Sequence, residues 1–176
     1  MAIPTVVNGD FSVPALTPGN FVTNPTGAGV GWTWDPGVGS NWCRVYGPGA
    51  NSWPDQSASL FANNSSSTES ACYQDLAFDG SPCRLKITAR RVSTHGRLRV
   101  TVGDLVLIDE TGVTGTWTDW HEFVFEIAPA AGVHRLRIAN RGYTGHQVGL
   151  ARVVIESAGG GSVLLCLQPD VHGLVG

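Results

Sequence analysis

Arg84-Leu85-Lys86-Ile87-Thr88-Ala89 alternates polar and apolar side chains, and the same period of two recurs on both sides of it. Leu98, Val100 and Val102 share one face of a run, Phe123, Phe125 and Ile127 share a face of another, and Leu136-Arg137-Ile138 repeats the pattern with its arginine facing out. Residues two apart point the same way in an extended chain, so each run buries one face and wets the other. None of them can hide its apolar face alone. Two packed sheets solve that problem, and the reading is all-β, a two-sheet β-sandwich.

Working outward, strands are expected at residues 71–77, 84–92, 97–102, 105–108, 122–127, 133–140 and 148–156, with Gly, Pro, Asp and Asn clusters between them. Turn signals about ten residues apart are the rhythm of sandwiches and jelly rolls. Residues 5–7 read as a first strand, followed by an Asn8-Gly9-Asp10 turn and then Phe11 and Val13, and residues 57–62 as a short strand. Residues 14–48 are rich in Gly, Pro and Asn and read as loop, yet carry Trp32, Trp34, Trp42 and Tyr46. Rings in such a stretch either plug one end of a sandwich or form a platform for a ligand. Ala158-Gly159-Gly160-Gly161-Ser162 breaks the pattern as a flexible hinge. Beyond it lies an apolar arm, 163–176, with Val163, Leu164, Leu165, Leu167 and Leu174. The domain division is therefore 1–157, hinge 158–162, arm 163–176. The arm either returns to its own domain as a last strand or docks on a neighbouring chain.

The 176 residues suffice for one core, and 23 Gly with 10 Pro suit a turn-rich β protein. A net charge of -3, with ten arginines and one lysine scattered along the strands, makes no case for nucleic acid. Arg90, Arg91, Arg97 and Arg99 read as a solvated strand face. No apolar run reaches the roughly 20 residues of a membrane helix, and the first residues lack the basic and apolar regions of a secretion signal. Cys43, Cys72, Cys83 and Cys166 have no C-x-x-C spacing and are expected as free, mostly buried thiols; a Cys72 to Cys83 bridge is the alternative.

In order along the chain stand Val7-Asn8-Gly9-Asp10-Phe11, Tyr73-Gln74-Asp75-Leu76, Cys83-Arg84-Leu85-Lys86-Ile87-Thr88-Ala89-Arg90, the run Thr116 to Phe125, Leu136-Arg137-Ile138-Ala139-Asn140 and Gly149-Leu150-Ala151-Arg152-Val153-Val154-Ile155. As a series, covering residues 4–157, they resemble the galactose-binding-like β-jelly roll of many carbohydrate-binding modules. The resemblance implies a jelly-roll fold and sugar binding. It also implies a structural calcium, held by the first motif and an Asp in the last. Here Ser12 and Ala151 stand where that family carries acids, so no metal site and no cofactor are expected.

Catalysis has little to stand on. Glu122 and Glu126 share a strand face with Val124 and point to water, no Gly-x-Ser-x-Gly elbow occurs, and His95, His121, His134, His146 and His172 form no ligand spacing. Binding is better served: a sugar site pairs flat rings with a few polar groups. The candidates are Trp32, Trp34, Trp42, Arg44, Tyr46, Trp53, Tyr143 and Gln147, while Trp117 and Trp120 are expected in the core. The expectation is a non-enzymatic component of a larger assembly, a virion, made in the host cytoplasm. Its partners would be copies of itself or capsid and tail proteins, and a cell-surface glycan, with no nucleic acid and no membrane. A stand-alone lectin-like protein is the alternative, and a glycan hydrolase the third reading.

Overall fold

The computed structural model describes residues 3–37, 39, 41–62, 69–92, 96–109, 119–141 and 145–158. Among these residues eleven strands form two antiparallel sheets: β1 (Phe21–Thr23), β2 (Thr33–Asp35), β3 (Trp42–Tyr46), β4 (Ser57–Ala62), β5 (Ser70–Phe78), β6 (Cys83–Arg91), β7 (Leu98–Val102), β8 (Leu105–Asp109), β9 (His121–Ile127), β10 (Gly132–Asn140) and β11 (His146–Ser157). The six-stranded sheet runs β1-β3-β4-β11-β6-β9 and the five-stranded sheet β2-β5-β10-β7-β8. The sandwich is the one the alternation demands. Leu60, Leu85, Ile87, Leu98, Val100, Leu136, Ile138, Val148 and Leu150 are shut between the sheets. The arm and part of the hinge lie outside the described residues.

Two parts of the N-terminal reading need correction. Residues 5–7 are not a strand. Val7 is instead gripped by a side chain: its N–H donates to Gln74 Oε1 at 3.0 Å, and Gln74 Nε2 donates to the Val7 carbonyl at 2.6 Å. One amide thus replaces a ladder. Residues 14–48 are not all loop either, since β1, β2 and β3 lie within them. The turn at Asn8-Gly9-Asp10 is present, closed by Phe11 N–H on the Asn8 carbonyl at 3.1 Å.

That turn matters for β11. Residues 146–150 of β11 pair with β4, then the register shifts against β6 between Leu150 and Arg152. Past the shift, Val153 N–H donates to the Gly9 carbonyl at 2.7 Å. The N-terminal turn takes the place β4 vacates. A Cβ on Gly9 would stand 2.1 Å from the Val153 carbonyl oxygen, so only glycine allows the approach.

The outward arginines do not form a basic face. On the five-stranded sheet Glu69 receives Arg137, Arg99 at 3.4 Å and Arg141 at 3.4 Å, so three guanidiniums share one carboxylate. Arg90 lies 5.5 Å from the Trp120 ring centroid, and Arg91 is buried.

Cys43, Cys72 and Cys83 are free and buried, as expected. Burial pushes the Cys43 thiol up to about 12, with Asp35 adding to the rise, and drives Cys72 well up as well. Since the thiolate is the reactive form, a Cys166→Ser chain should give no reaction with a disulfide reagent at pH 8 until denaturant is added. Stoichiometric labelling of the native chain would contradict the burial.

Candidate functional site

The outward face of the six-stranded sheet gathers four of the eight candidate binding residues, Trp42, Arg44, Tyr46 and Gln147. Alternation along β3 sends Cys43 and Val45 into the core and turns Trp42, Arg44 and Tyr46 outward. Register then sets Phe61 between Trp42 and Gln147, Arg44 between Thr23 and Ser59, and Tyr46 between Phe21 and Ser57.

These rings engage one another. The Arg44 guanidinium lies 4.2 Å from the ring centroids of both Phe21 and Trp42, and its Nε–H donates to Thr23 Oγ1 at 3.2 Å. Trp42 in turn stacks on Phe61 at 4.6 Å with 10° between the planes. A column Phe21–Arg44–Trp42–Phe61 results, which leaves Trp42 presenting an edge. Gln147 Nε2 donates to Ser59 Oγ and is likewise engaged.

Trp53 is placed differently. It packs against Trp120 at 4.9 Å, and Trp120 lies over Gly149, where an added Cβ would come within 3.2 Å of the ring. Trp120 is half-buried on the sheet's outside rather than in the core where it was expected, because Gly149 leaves a hollow on that face and Trp120 Nε1–H finds the Asn51 carbonyl at 3.2 Å. Trp53 borders a groove of about 430 Å³ with Asp10, Ser12, Asp55, Gln56 and Arg152. Arg152 also borders a hollow of about 540 Å³ beside the N-terminal turn and a smaller one of about 150 Å³ with Lys86, Thr88, Glu122 and Glu156. Lys86 there is tied to Glu156 at 2.7 Å, and with Arg84 it holds the Glu156 carboxyl below its ordinary value. Arg152 is exposed, and its guanidinium makes no ion pair or hydrogen bond among the described residues.

The remaining candidates scatter. Trp32 is enclosed at 4 % exposure, stacks on Phe11 at 5.5 Å and donates Nε1–H to the Asn8 carbonyl at 2.9 Å, so it is structural. Trp34 sits on β2 in the other sheet, and with Trp32 walls a hollow of about 370 Å³. Tyr143, Trp117 and the arm residues Val163, Leu164, Leu165, Leu167 and Leu174 lie outside the described residues. Asp55, two residues after Trp53, belongs to the same candidate stretch of the sequence; Arg152 was missed, because it looked like any outward strand residue.

The first motif does not fit a calcium ion. Asn8 Nδ2 donates to the carbonyls of Val13 at 2.8 Å and Val30 at 3.0 Å, and Asn8 Oδ1 accepts from Val13 N–H at 2.9 Å. Gln56 Nε2 donates to the carbonyls of Phe11 at 2.8 Å and Pro14 at 2.9 Å. The oxygens such an ion would need are spent on amide protons. Among the described residues no three His, Cys, Asp or Glu side chains converge.

No family model and no curated protein matches the sequence. Solved structures do. TmCBM61, described in complex with β-1,4-galactotriose, aligns over 85% of this chain and 95% of its own at 11% identity and a TM-score of 0.51. The CBM22-1 xylan-binding domain of Paenibacillus barcinonensis Xyn10C aligns over 81% of this chain and 97% of its own at 14% identity and a TM-score of 0.50. Likeness at that identity shows the fold, a β-sandwich of the jelly-roll kind.

Proposed function

We propose that the chain is a non-catalytic glycan-binding module whose ligand lies in the groove bordered by Trp53, Asp55 and Arg152. One observation carries this reading: an exposed guanidinium with no partner among the described residues stands where three hollows meet, beside a tryptophan and an aspartate. A ring for the C–H face of a sugar and a few hydrogen-bonding groups for its hydroxyls are the ingredients of such sites. The fold shared with modules described as binding galactotriose and xylan supports it.

A glycan-array screen followed by titration of the best ligand tests it. Arg152→Ala and Trp53→Ala should each weaken binding about 30-fold, the equivalent of about 2 kcal/mol for an anchoring contact. Arg152→Ala should melt like the parent chain, which separates lost contact from lost fold. Trp42→Ala should lower the melting temperature and change affinity less than threefold, because its ring serves the column. Absence of any glycan ligand, or unchanged binding in Arg152→Ala, overturns the assignment.

A second reading makes the module an outward-facing subunit of a larger assembly such as a virion. It is favoured by Leu105 and Val106 at 46 % and 48 % exposure on β8, the last strand of its sheet. The solution mass of the full chain bears on it.

A further inference from the structure

β9 ends the six-stranded sheet, and among the described residues nothing pairs with its far side. Its outward face carries Glu122 and Glu126 on either side of Val124, while Phe123 and Phe125 on its inward face are only partly covered. Val124 is 48 % exposed and Phe125 only partly buried against the core, so the strand offers backbone groups together with apolar surface. Natural edges are covered or charged, since an open apolar one invites pairing with another chain.

The chain itself carries a cover of matching chemistry. β11 finishes at Ser157, which lies opposite Cys83, and Cys83 lies opposite Ile127, the last residue of β9. The polypeptide therefore leaves the sheet at the end where β9 finishes, two strands away. We propose that residues 163–167, Val-Leu-Leu-Cys-Leu, add along the free edge of β9 in the same chain as an antiparallel strand.

Three physical requirements are met. Crossing from β11 to the position beyond β9 takes three inter-strand spacings, about 14 Å. The five residues of the hinge, 158–162, span up to about 20 Å between the flanking Cα atoms. Direction also agrees: a segment starting at that end must run back against β9, the arrangement that gives well-aligned ladder bonds. The pattern agrees as well. With Leu165 set beside Phe125, Val163, Leu165 and Leu167 extend the inward apolar row, and Cys166 comes beside the exposed Val124. A short tether gives the arm an effective concentration of about millimolar at its own edge, well above that of a second copy in dilute solution. The closed edge leaves the Trp53–Arg152 groove open, so the inference stands apart from the glycan assignment.

The experiment compares the full chain, a chain ending at Ser157, and full-length Leu165→Asp and Leu174→Asp, by light scattering after size exclusion and by hydrogen exchange. The full chain should be a monomer, and the β9 amides that do not bond to β6 should exchange at least tenfold more slowly in it than in the truncated chain. Leu165→Asp should reproduce the fast exchange, which keeps the test valid if the truncated chain fails to fold; Leu174→Asp should match the parent. A full-length oligomer that Leu165→Asp dissolves overturns the proposal in favour of the arm of a second copy and supports the assembly reading. β9 exchange that is the same in all four chains overturns it outright. Neither result touches glycan binding, which is titrated separately.

Discussion

Phe11→Ala is expected to lose about 3–5 kcal/mol of folding stability, the range for emptying a buried aromatic site. Phe11 is fully buried although it belongs to the N-terminal turn rather than to a strand. Its ring stacks on Trp32 at 5.5 Å and leans on Trp34 at 6.3 Å, so it joins the turn to β2 and the stretch before it. The residue holds φ at 57°, a left-handed conformation that costs an L-amino acid about 1–2 kcal/mol. The ring's burial offsets that cost. Phe11→Gly separates the two contributions, since glycine removes both the ring and the strain and should be less damaging than alanine. Equilibrium denaturation followed by tryptophan fluorescence reads both variants. For a domain this size, the alanine variant should melt about 10 °C lower. A loss below about 1 kcal/mol would show that the turn is not anchored through this ring.

The same residue shows where sequence reading succeeds and where it stops. β5, β6, β7 and β9 were legible because they alternate with apolar residues inward, and across β5 to β11 the observed ends differ from the expected ones by a residue or two. β3 was not. In Trp42-Cys43-Arg44-Val45-Tyr46 the larger apolar rings face outward and the small residues face the core, so the pattern lacks the usual contrast. Residues 5–7 failed in the opposite sense: they carry a strand's composition, but the groups that would form a ladder are taken by the Gln74 amide, 67 positions away.

The site divides along the same line. That Trp42, Arg44 and Tyr46 share a face follows from their spacing; that they spend their surfaces on Phe21 and Phe61 follows only from the pairing of β1, β3 and β4. Arg152 becomes distinctive through the register shift in β11 and through the N-terminal turn set beside it, a contact between residues more than a hundred positions apart. No local pattern encodes that.

Gln56→Ala should destabilise the fold by about 2–4 kcal/mol, because a buried donor or acceptor left without a partner costs about 1–3 kcal/mol. Gln56 is 7 % exposed, and its one amide serves three backbone groups: it donates to the carbonyls of Phe11 and Pro14, and accepts from Leu16 N–H. It thus pins the segment that follows the N-terminal turn to the start of β4. Gln56→Glu makes the test sharper. The carboxylate keeps the bond from Leu16 but turns a negative oxygen toward two carbonyl oxygens, so its pKa in the folded chain must rise above the unfolded value of about 4.3. A group whose folded pKa is raised favours the folded state in its protonated form. Gln56→Glu should therefore be destabilised at neutral pH and recover, relative to the parent chain, as pH falls through the raised value toward 4. Denaturation midpoints of the parent and the variant at pH 7 and pH 4.5 measure the difference. A gap that stays constant between the two pH values would mean that water reaches the Phe11 and Pro14 carbonyls, and that Phe11 alone holds the turn.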